Sequence, residues 1–255
     1  MRKLTLLKVS PRSGSRKPLL ASISSFLMLL STFLLLGVAT PVFGTSLTLA
    51  TLLANQATQL VTGDKIFTNF RQFISFGTTD GTAGIATPHA PAATEILVST
   101  DDPNANTYNP GPGIIFTDTW SVTAHQTIDT RITFDVLDRS GPYIHDVNLG
   151  SPAFGFNGDA QMHISETVTN LANGQLLAAL LVDGAVGVIS AHKDFATSVA
   201  GVTVSKDISL EGRNNGAVHL SGFTQNFSEV PEPGTWALLG LGLSGIAASR
   251  LRRRR

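Results

Sequence analysis

Cysteine is absent from this 255-residue chain. Without thiols the protein has no disulfides, no cysteine nucleophile, no thiolate metal site and no lipidated cysteine behind a leader. Charged residues are also scarce, at 14% of the chain, and aromatic residues make up only 7%. The absence of disulfides leaves hydrophobic burial as the main source of stability, and a chain of this length can supply it.

The formal net charge of zero hides an uneven distribution of charge. Six basic residues precede position 18 and five follow position 249, whereas 46–229 holds seven basic and seventeen acidic residues. The middle of the chain therefore has a net charge of about −10 and lies between two basic ends. Nucleic-acid binding requires a basic footprint, so we expect no nucleic-acid partner.

The first 44 residues have the organisation of an export signal. Six basic residues occur before position 18, and a leucine-rich apolar run covers 19–38. Pro41 then breaks the segment, and Val42 and Gly44 stand at the −3 and −1 positions of a cleavage site. We predict a signal peptide at 1–44, cleaved after Gly44 and exported by the Sec machinery. The alternative is an uncleaved anchor, because about 20 apolar residues can span a bilayer.

Alternation of apolar and polar residues is the clearest pattern between the two ends. It runs through 114–123 and again through 128–136. Such period-2 patterning indicates strands with one face on a core and the other in water. The short connection at 125–127 predicts that these two strands form an antiparallel hairpin, with Trp120 and Phe134 in the core.

Further strand candidates occur at regular intervals, separated by turn residues such as Asn157-Gly158 and Asn173-Gly174. The candidates are 63–76, 92–100, 143–149, 162–169, 176–183, 202–210 and 217–227. A weak helical pattern covers 47–60, and 185–200 is ambiguous between strand and helix. These features predict an all-β fold, an antiparallel β-sandwich or jelly-roll-like domain, over 45–229.

Glu166 is the most unusual acidic residue in the predicted strands. It shares parity with Met162, Ile164 and Val168, so a regular strand points it into the core, where a carboxylate needs a partner. Such a carboxylate most often lies at a strand end, on a bulge or beside a buried cation. The alternative is that it marks a functional site. His163 is its nearest histidine, but a separation of three residues places the two on opposite faces of a strand.

Other acidic residues suggest chemistry only weakly. The segment 102–106, Asp-Pro-Asn-Ala-Asn, resembles the start of a calcium loop but lacks the glycine and glutamate that complete one. Asp129, Asp135 and Asp138 could supply paired carboxylates for sugar hydrolysis. Asp129 and Asp135 share the polar face of one strand but lie roughly 20 Å apart, so we expect these two to be solvated surface residues. HExxH and GxSxG motifs are absent. We therefore predict no catalytic, cofactor-binding or metal-binding residue and no cofactor.

The C-terminal segment combines three features in order. A Pro231-Glu232-Pro233 triplet is followed by an apolar run of about 14 residues and then by an arginine cluster. The run is short for a membrane span, and the arginines favour a cytoplasmic end. A GxGxxG pattern at 240–245 lies inside this run without a preceding strand, so we interpret it as a small-residue helix surface in lipid. The cluster consists of Arg250, Arg252, Arg253, Arg254 and Arg255.

This arrangement closely resembles the PEP-CTERM sorting signal of exported proteins in Gram-negative bacteria. The resemblance implies a tail at 230–255 with a short transmembrane helix, transient anchoring in the inner membrane, and recognition and removal by an exosortase. Stretches such as GDKIFTNF and VSKDISL are similar to sequences in many proteins that bear this tail. The cargo domains of that family are thought to be associated with the cell surface or with exopolysaccharide.

Together these features predict a non-enzymatic protein of the cell surface or extracellular matrix, associated with exopolysaccharide or biofilm. Two alternatives stay open. The first is a secreted polysaccharide hydrolase whose carboxylates are brought together by the fold. The second is a carbohydrate- or calcium-binding module, for which an exposed aromatic platform with Tyr108 or Tyr143 would be expected.

Overall fold

The structure, a computed structural model, describes residues 46–101, 111–139, 141 and 143–228. Its secondary structure is almost entirely strand, with one short helix, α1 (Leu49–Ala54), and one 3-10 turn (Gly184–Val186) in these ranges. The strands are β1 (Leu47–Thr48), β2 (Leu60–Thr62), β3 (Lys65–Thr79), β4 (Leu97–Asp101), β5 (Gly113–Val122), β6 (Gln126–Asp138), β7 (Ile144–Asn157), β8 (Gln161–Asn170), β9 (Leu176–Asp183), β10 (Ser190–Val199), β11 (Gly201–Glu211) and β12 (Ala217–Asn226).

The strands form two six-stranded sheets that face each other. Sheet I has the order β1-β4-β5-β12-β7-β10, and sheet II has the order β2-β3-β6-β11-β8-β9. The strand pairs within both sheets are antiparallel. One hydrophobic core, with members from Leu49 to Phe227, lies between the sheets. The predicted all-β antiparallel fold is therefore confirmed.

The eight strands from β5 to β12 have the strand order of a jelly roll. The pairs β5·β12, β6·β11, β7·β10 and β8·β9 are all antiparallel neighbours. In a jelly roll, a ribbon of four such pairs is rolled up so that successive pairs fall in opposite sheets. Here the result is the order β5-β12-β7-β10 in sheet I and β6-β11-β8-β9 in sheet II. The strands β1 and β4 extend sheet I beyond β5, and β2 and β3 extend sheet II beyond β6.

Aromatic side chains from both sheets meet in the core. The rings of Phe116 on β5 and Phe134 on β6 have centroids 5.8 Å apart, although their strands belong to different sheets. Trp120 is fully buried, and its Nε1–H donates to Thr130 Oγ1 across the core at 3.2 Å. Burial of each such ring stabilises the fold by roughly 1.5–3 kcal/mol. The predicted core positions Trp120 and Phe134 are thus confirmed.

The predicted hairpin between these two strands is wrong. β5 pairs with β4 and β12, whereas β6 pairs with β3 and β11. Between them His125 adopts a φ of 66°, and its N–H donates to the carbonyl of Arg213 at 2.6 Å. The short connection therefore carries the chain from sheet I to sheet II. Alternation indicates which side of a strand faces the core, but it does not identify the neighbouring strand.

Other segments refine the predicted boundaries. The ambiguous stretch 185–200 is mostly strand β10, and the strand predicted at 143–149 continues as β7 through Gly155 to Asn157. The weak helical pattern at 47–60 yields only α1, whose N-terminus is capped by Thr48 Oγ1 accepting from Thr51 N at 3.3 Å.

The predicted ends of the chain fall outside the described residues. This applies to the signal peptide at 1–44, its cleavage point at Gly44 and the tail at 230–255, so the domain boundaries at 44/45 and 229/230 stay predictions. Within the residues that the structure does describe, no helix is long and apolar enough to cross a membrane.

Candidate functional site

The last described residues are held tightly at one end of sheet I. Asn226, at the end of β12, is fully buried and donates from Nδ2 to Asp101 Oδ2 at 2.9 Å and to the carbonyl of Gly111 at 3.0 Å. Phe227 is buried in the core, and its N–H donates to the carbonyl of Pro112 at 3.1 Å. The end of β12 is therefore fixed by both its backbone and its side chains.

Ser228 continues this attachment along β7. Its N–H donates to Asp146 Oδ1 at 2.8 Å, its hydroxyl donates to Asp146 Oδ2, and its carbonyl accepts from His145 N at 3.0 Å. We call Asp146, Asn226, Phe227 and Ser228 the exit clamp. Because an extended chain covers at most about 3.6 Å per residue, Pro231 begins within about 11 Å of Ser228.

The sorting residues themselves are not described by the structure. Pro231, Glu232 and Pro233 lie beyond Ser228, as does the basic cluster Arg250, Arg252, Arg253, Arg254 and Arg255. Their assignment consequently depends on the sequence. What the structure adds is the position from which the tail departs, at the end of a central strand of sheet I.

Glu166 points into the core, as its parity predicts, and lies beside a buried cation. Lys206, its direct cross-strand neighbour on β11, donates to Glu166 Oε2 and to Gln225 Oε1 of the opposite sheet. The side chains of Glu166 and Lys206 are both 0% exposed. The Lys206 ammonium also lies 5.4 Å from the centroid of the Phe223 ring, within cation–π range.

Burial sets the ionisation of this pair. It raises the pKa of the Glu166 carboxyl, and the Lys206 ammonium opposes that rise. Burial also lowers the pKa of Lys206, which Glu166 opposes in turn. Because both groups are enclosed between the sheets, neither can reach a ligand at the surface, and the pair has a structural role in the core. The functional alternative for Glu166 is not supported by this geometry.

Asp135 is a buried hydrogen-bond acceptor and not the solvated surface residue that its spacing suggested. It accepts from Arg71 Nη1 at 2.7 Å, from Asn69 Nδ2 at 2.5 Å and from Thr203 Oγ1 at 2.7 Å. Asn69 sits at an irregularity of β3, between Thr68 and Gln72, and has a φ of 51°. These contacts fasten three neighbouring strands of sheet II together.

Asp138, the third aspartate considered for sugar hydrolysis, is also enclosed. Its side chain is 0% exposed, and Lys65 Nζ donates to it at 3.1 Å. Asp129 lies on the outer face of sheet II beside Asp207. Partial burial, followed by the charge of Asp207, raises the pKa of the Asp129 carboxyl. The three aspartates therefore have separate partners and do not converge on one cleft.

An open depression of about 360 Å³ contains other acidic residues. It is lined by Asp80, His125, Glu211 and Arg213, among others. His125 Nδ1 lies 2.7 Å from Asp80 Oδ2, and hydrogen bonds from Thr82, followed by that from His125, lower the pKa of Asp80 to about 2. A glycosidase needs one carboxyl with a raised pKa as its general acid, so the shift at Asp80 is opposite to that requirement.

The remaining predicted positions are placed as follows. His163 is partly exposed and lies 3.6 Å from Asp183, on the face of β8 opposite Glu166, as predicted. Tyr143 is half-buried. The possible calcium segment 102–106 and Tyr108 lie outside the described residues.

Comparison with known proteins identifies the C-terminal segment. Residues 229–254 match the family model described as the PEP-CTERM protein-sorting motif. The resemblance read from the triplet, the apolar run and the arginines is thereby confirmed, and the chain carries a PEP-CTERM sorting motif at its C-terminal end. The motif implies an exported protein that is transiently anchored in the membrane and processed by an exosortase. No curated protein matches the chain.

Two solved structures are similar in part. One is the enzymatically active domain of bacteriophage CBA120 tailspike protein 4, with 11% identity and a TM-score of 0.28 over 61% of this chain and 19% of that chain. The other is TmCBM61 in complex with β-1,4-galactotriose, with 12% identity and a TM-score of 0.29 over 60% of this chain and 88% of that one. The chain thus spans about a fifth of the tailspike chain.

Two features of the site were not predicted from sequence. The first is Lys206. It shares parity with Val204 and Ile208, so the alternation that identified Glu166 could also have indicated that this lysine is buried. The contact of Asp146 with Ser228 joins residues 82 positions apart. No local pattern could have revealed that second contact.

Proposed function

We propose that this chain is a non-enzymatic exported protein whose β-domain functions at the cell surface or in an extracellular polysaccharide matrix. The Sec machinery exports the chain, the tail holds it briefly in the inner membrane, and an exosortase then removes the tail. The single observation that carries this proposal is the match of residues 229–254 to the sorting motif. The location in a matrix or biofilm is an inference from the delivery route.

The exit clamp supports a role for the β-domain as folded cargo. Ser228 is bonded to β7 through its N–H, its hydroxyl and its carbonyl, and Pro231 follows only three residues later. With so short a connection, the folded domain is held within about 11 Å of the motif while the processing enzyme acts. Only Glu229 and Val230 separate the last described residue from the motif, so no long linker joins the two.

The distribution of carboxylates supports a non-enzymatic role. Asp135 and Asp138 are paired with Arg71 and Lys65, so their charges serve the fold. The carboxyls of Glu166 and Asp129 have a raised pKa, but they lie on opposite faces of sheet II and cannot flank one glycosidic bond.

Replacement of Pro231, Glu232 and Pro233 by alanine tests the delivery route. In a Gram-negative host that has an exosortase, we expect this variant to keep its tail, stay in the inner-membrane fraction and retain the larger mass. A Glu95→Ala variant, which changes an exposed carboxylate in the β-domain, serves as the control and is expected to be processed normally. Normal processing and release of the triple variant would refute the proposal.

Incubation of the processed protein with purified extracellular polysaccharides tests the role of the domain. We expect no increase in reducing ends, which would be the product of a hydrolase. Retention on the polysaccharide without cleavage would favour the binding-module alternative within a non-enzymatic role. Progressive release of reducing ends that stops when Asp80 or Glu211 is replaced would show that the protein is an enzyme.

A further inference from the structure

A cluster of two carboxylates and one imidazole lies on the outer face of sheet I. Asp146 is on β7, His192 and Asp194 are on the edge strand β10, and their ligand atoms all lie within 4.8 Å of one another. Asp194 is directly opposite Asp146 in the register, and His192 is directly opposite Asn148. Since residues two apart on a strand share a face, the fold brings these side chains together on one surface.

The two carboxylates form a like-charged cross-strand pair. Like charges directly opposite each other on neighbouring strands are destabilising, and a cation held between them would offset that cost. Among the residues that the structure describes, neither Asp146 nor Asp194 forms an ion pair with a lysine or an arginine. The only positive charge available within the cluster is a protonated His192 or a bound metal ion.

Asn148 orients the imidazole of His192 through a contact with its Nδ1 atom. Its Nδ1 lies 2.8 Å from Asn148 Oδ1, and Asn148 is only 7% exposed. A carbonyl oxygen accepts but does not donate, so Nδ1 carries the proton in this contact. In the neutral ring Nε2 then directs a lone pair toward Asp194 Oδ1, 3.1 Å away. A metal-binding histidine has the same arrangement, with its second nitrogen donating to a carbonyl or carboxylate.

Asp146 is held in place by the exit clamp. Ser228 donates to both of its oxygens, through the backbone N–H and the hydroxyl. Each carboxylate oxygen has two lone-pair positions, so these bonds fix the orientation and still leave capacity for a metal. His192 and Asp194 are exposed and can adjust their rotamers, which a coordination distance of about 2.0–2.2 Å requires.

We propose that Asp146, His192 and Asp194 form a binding site for a divalent transition-metal cation, for which Zn²⁺ is the best fit. One imidazole nitrogen and two carboxylate oxygens are ordinary zinc ligands, and water completes the coordination at this exposed position. Calcium prefers six to eight oxygen ligands, so the imidazole disfavours it. The cation joins the edge strand β10 to β7 and, through Asp146, strengthens the attachment of Ser228 next to the sorting tail.

Isothermal titration of the full chain in detergent with Zn²⁺ tests this site. We expect one site per chain that depends on His192, with at least tenfold weaker affinity in His192→Ala and in Asp194→Asn. Asn148→Ala removes only the group that orients the imidazole, so it is expected to weaken Zn²⁺ binding by about 10–100-fold. Ca²⁺ is expected to bind more weakly than Zn²⁺ to the wild-type chain.

The matched control is His89→Ala. His89 also faces a carboxylate, with its Nε2 2.9 Å from Glu95 Oε2, but this pair lacks the second carboxylate. Its replacement is expected to leave the Zn²⁺ affinity unchanged. Equal Zn²⁺ affinity in wild type and His192→Ala would overturn the proposal. So would wild-type NMR spectra that show His192 protonated on both nitrogens at pH 7 and unaltered by Zn²⁺.

Discussion

Lys206→Met is the substitution that most directly probes the buried ion pair. Methionine keeps the length and flexibility of the lysine stem but removes its ammonium, so Glu166 loses its ion-pair partner and Gln225 loses a donor. Removal of one member of a buried pair costs about 3–5 kcal/mol, because an uncompensated charge is left in the core. Against a total stability of about 5–15 kcal/mol, this is a large fraction.

The pH dependence of this loss has a definite sign. Burial already raises the pKa of Glu166, and the substitution removes the ammonium that opposes the rise. The folded variant therefore binds a proton that the unfolded chain releases, and its stability is present at low pH and lost as the pH rises toward the folded pKa. The loss is expected to be smaller at pH 5 than at pH 8, with a limiting slope of about 1.4 kcal/mol per pH unit.

Urea unfolding of the processed protein, followed by tryptophan fluorescence, measures both effects. With a slope of about 2 kcal/mol per molar urea, the midpoint of Lys206→Met should fall by about 1.5–2.5 M at pH 8. The converse variant Glu166→Leu leaves Lys206 with a lowered pKa, so its stability should fall as the pH decreases. The double variant is expected to recover most of the loss. Losses below about 1 kcal/mol in both single variants, or the same pH slope in both, would show that neither variant leaves an uncompensated charge in the core.

Two further substitutions test the packing and the polar network of the fold. Gly212→Ala should destabilise the domain by about 1–3 kcal/mol or more, since its Cβ would lie 1.8 Å from the Thr123 carbonyl oxygen; Gly155→Ala, which meets only the His219 ring at 3.6 Å, should be nearly neutral in the same urea assay. Asp135→Ala should cost about 2–3 kcal/mol because three donors lose their acceptor, whereas Asp207→Ala, at an exposed pair, should cost less than about 1 kcal/mol. Equal losses within either pair would contradict these assignments.

Local patterns in the sequence predict where the strands lie better than they predict which strands pair with each other. Alternation correctly indicated the inward positions of Trp120 and Phe134, because the side-chain period of a strand is a local property. The pairing of β5 with β12 and of β6 with β11 joins segments far apart in the chain, and no local pattern specifies it. The predicted hairpin was wrong for this reason: a short connection at His125 is compatible both with pairing and with a crossing to the opposite sheet.

In the candidate site, too, the sequence predicts the local features but not the contacts between distant residues. The sorting motif is contiguous in sequence, so the triplet and its flanking segments were sufficient to identify it. The inward direction of Glu166 also followed from parity. The alternation around Lys206 carries the same signal, but the pairing of the two side chains was not predicted. The bonds from Arg71 to Asp135 and from Ser228 to Asp146 span 64 and 82 positions. They depend on the jelly-roll pairing, which only the three-dimensional structure supplies.

Delivery by export and removal of the tail can be followed by intact mass spectrometry of the purified protein. The protein is isolated from a Gram-negative host with an exosortase and from the same host with that enzyme deleted. We expect the N-terminus at Thr45 in both, and a form that has lost the C-terminal tail only when the exosortase is present. Identical masses from the two hosts, with residues 234–255 retained in both, would show that an exosortase does not process this chain.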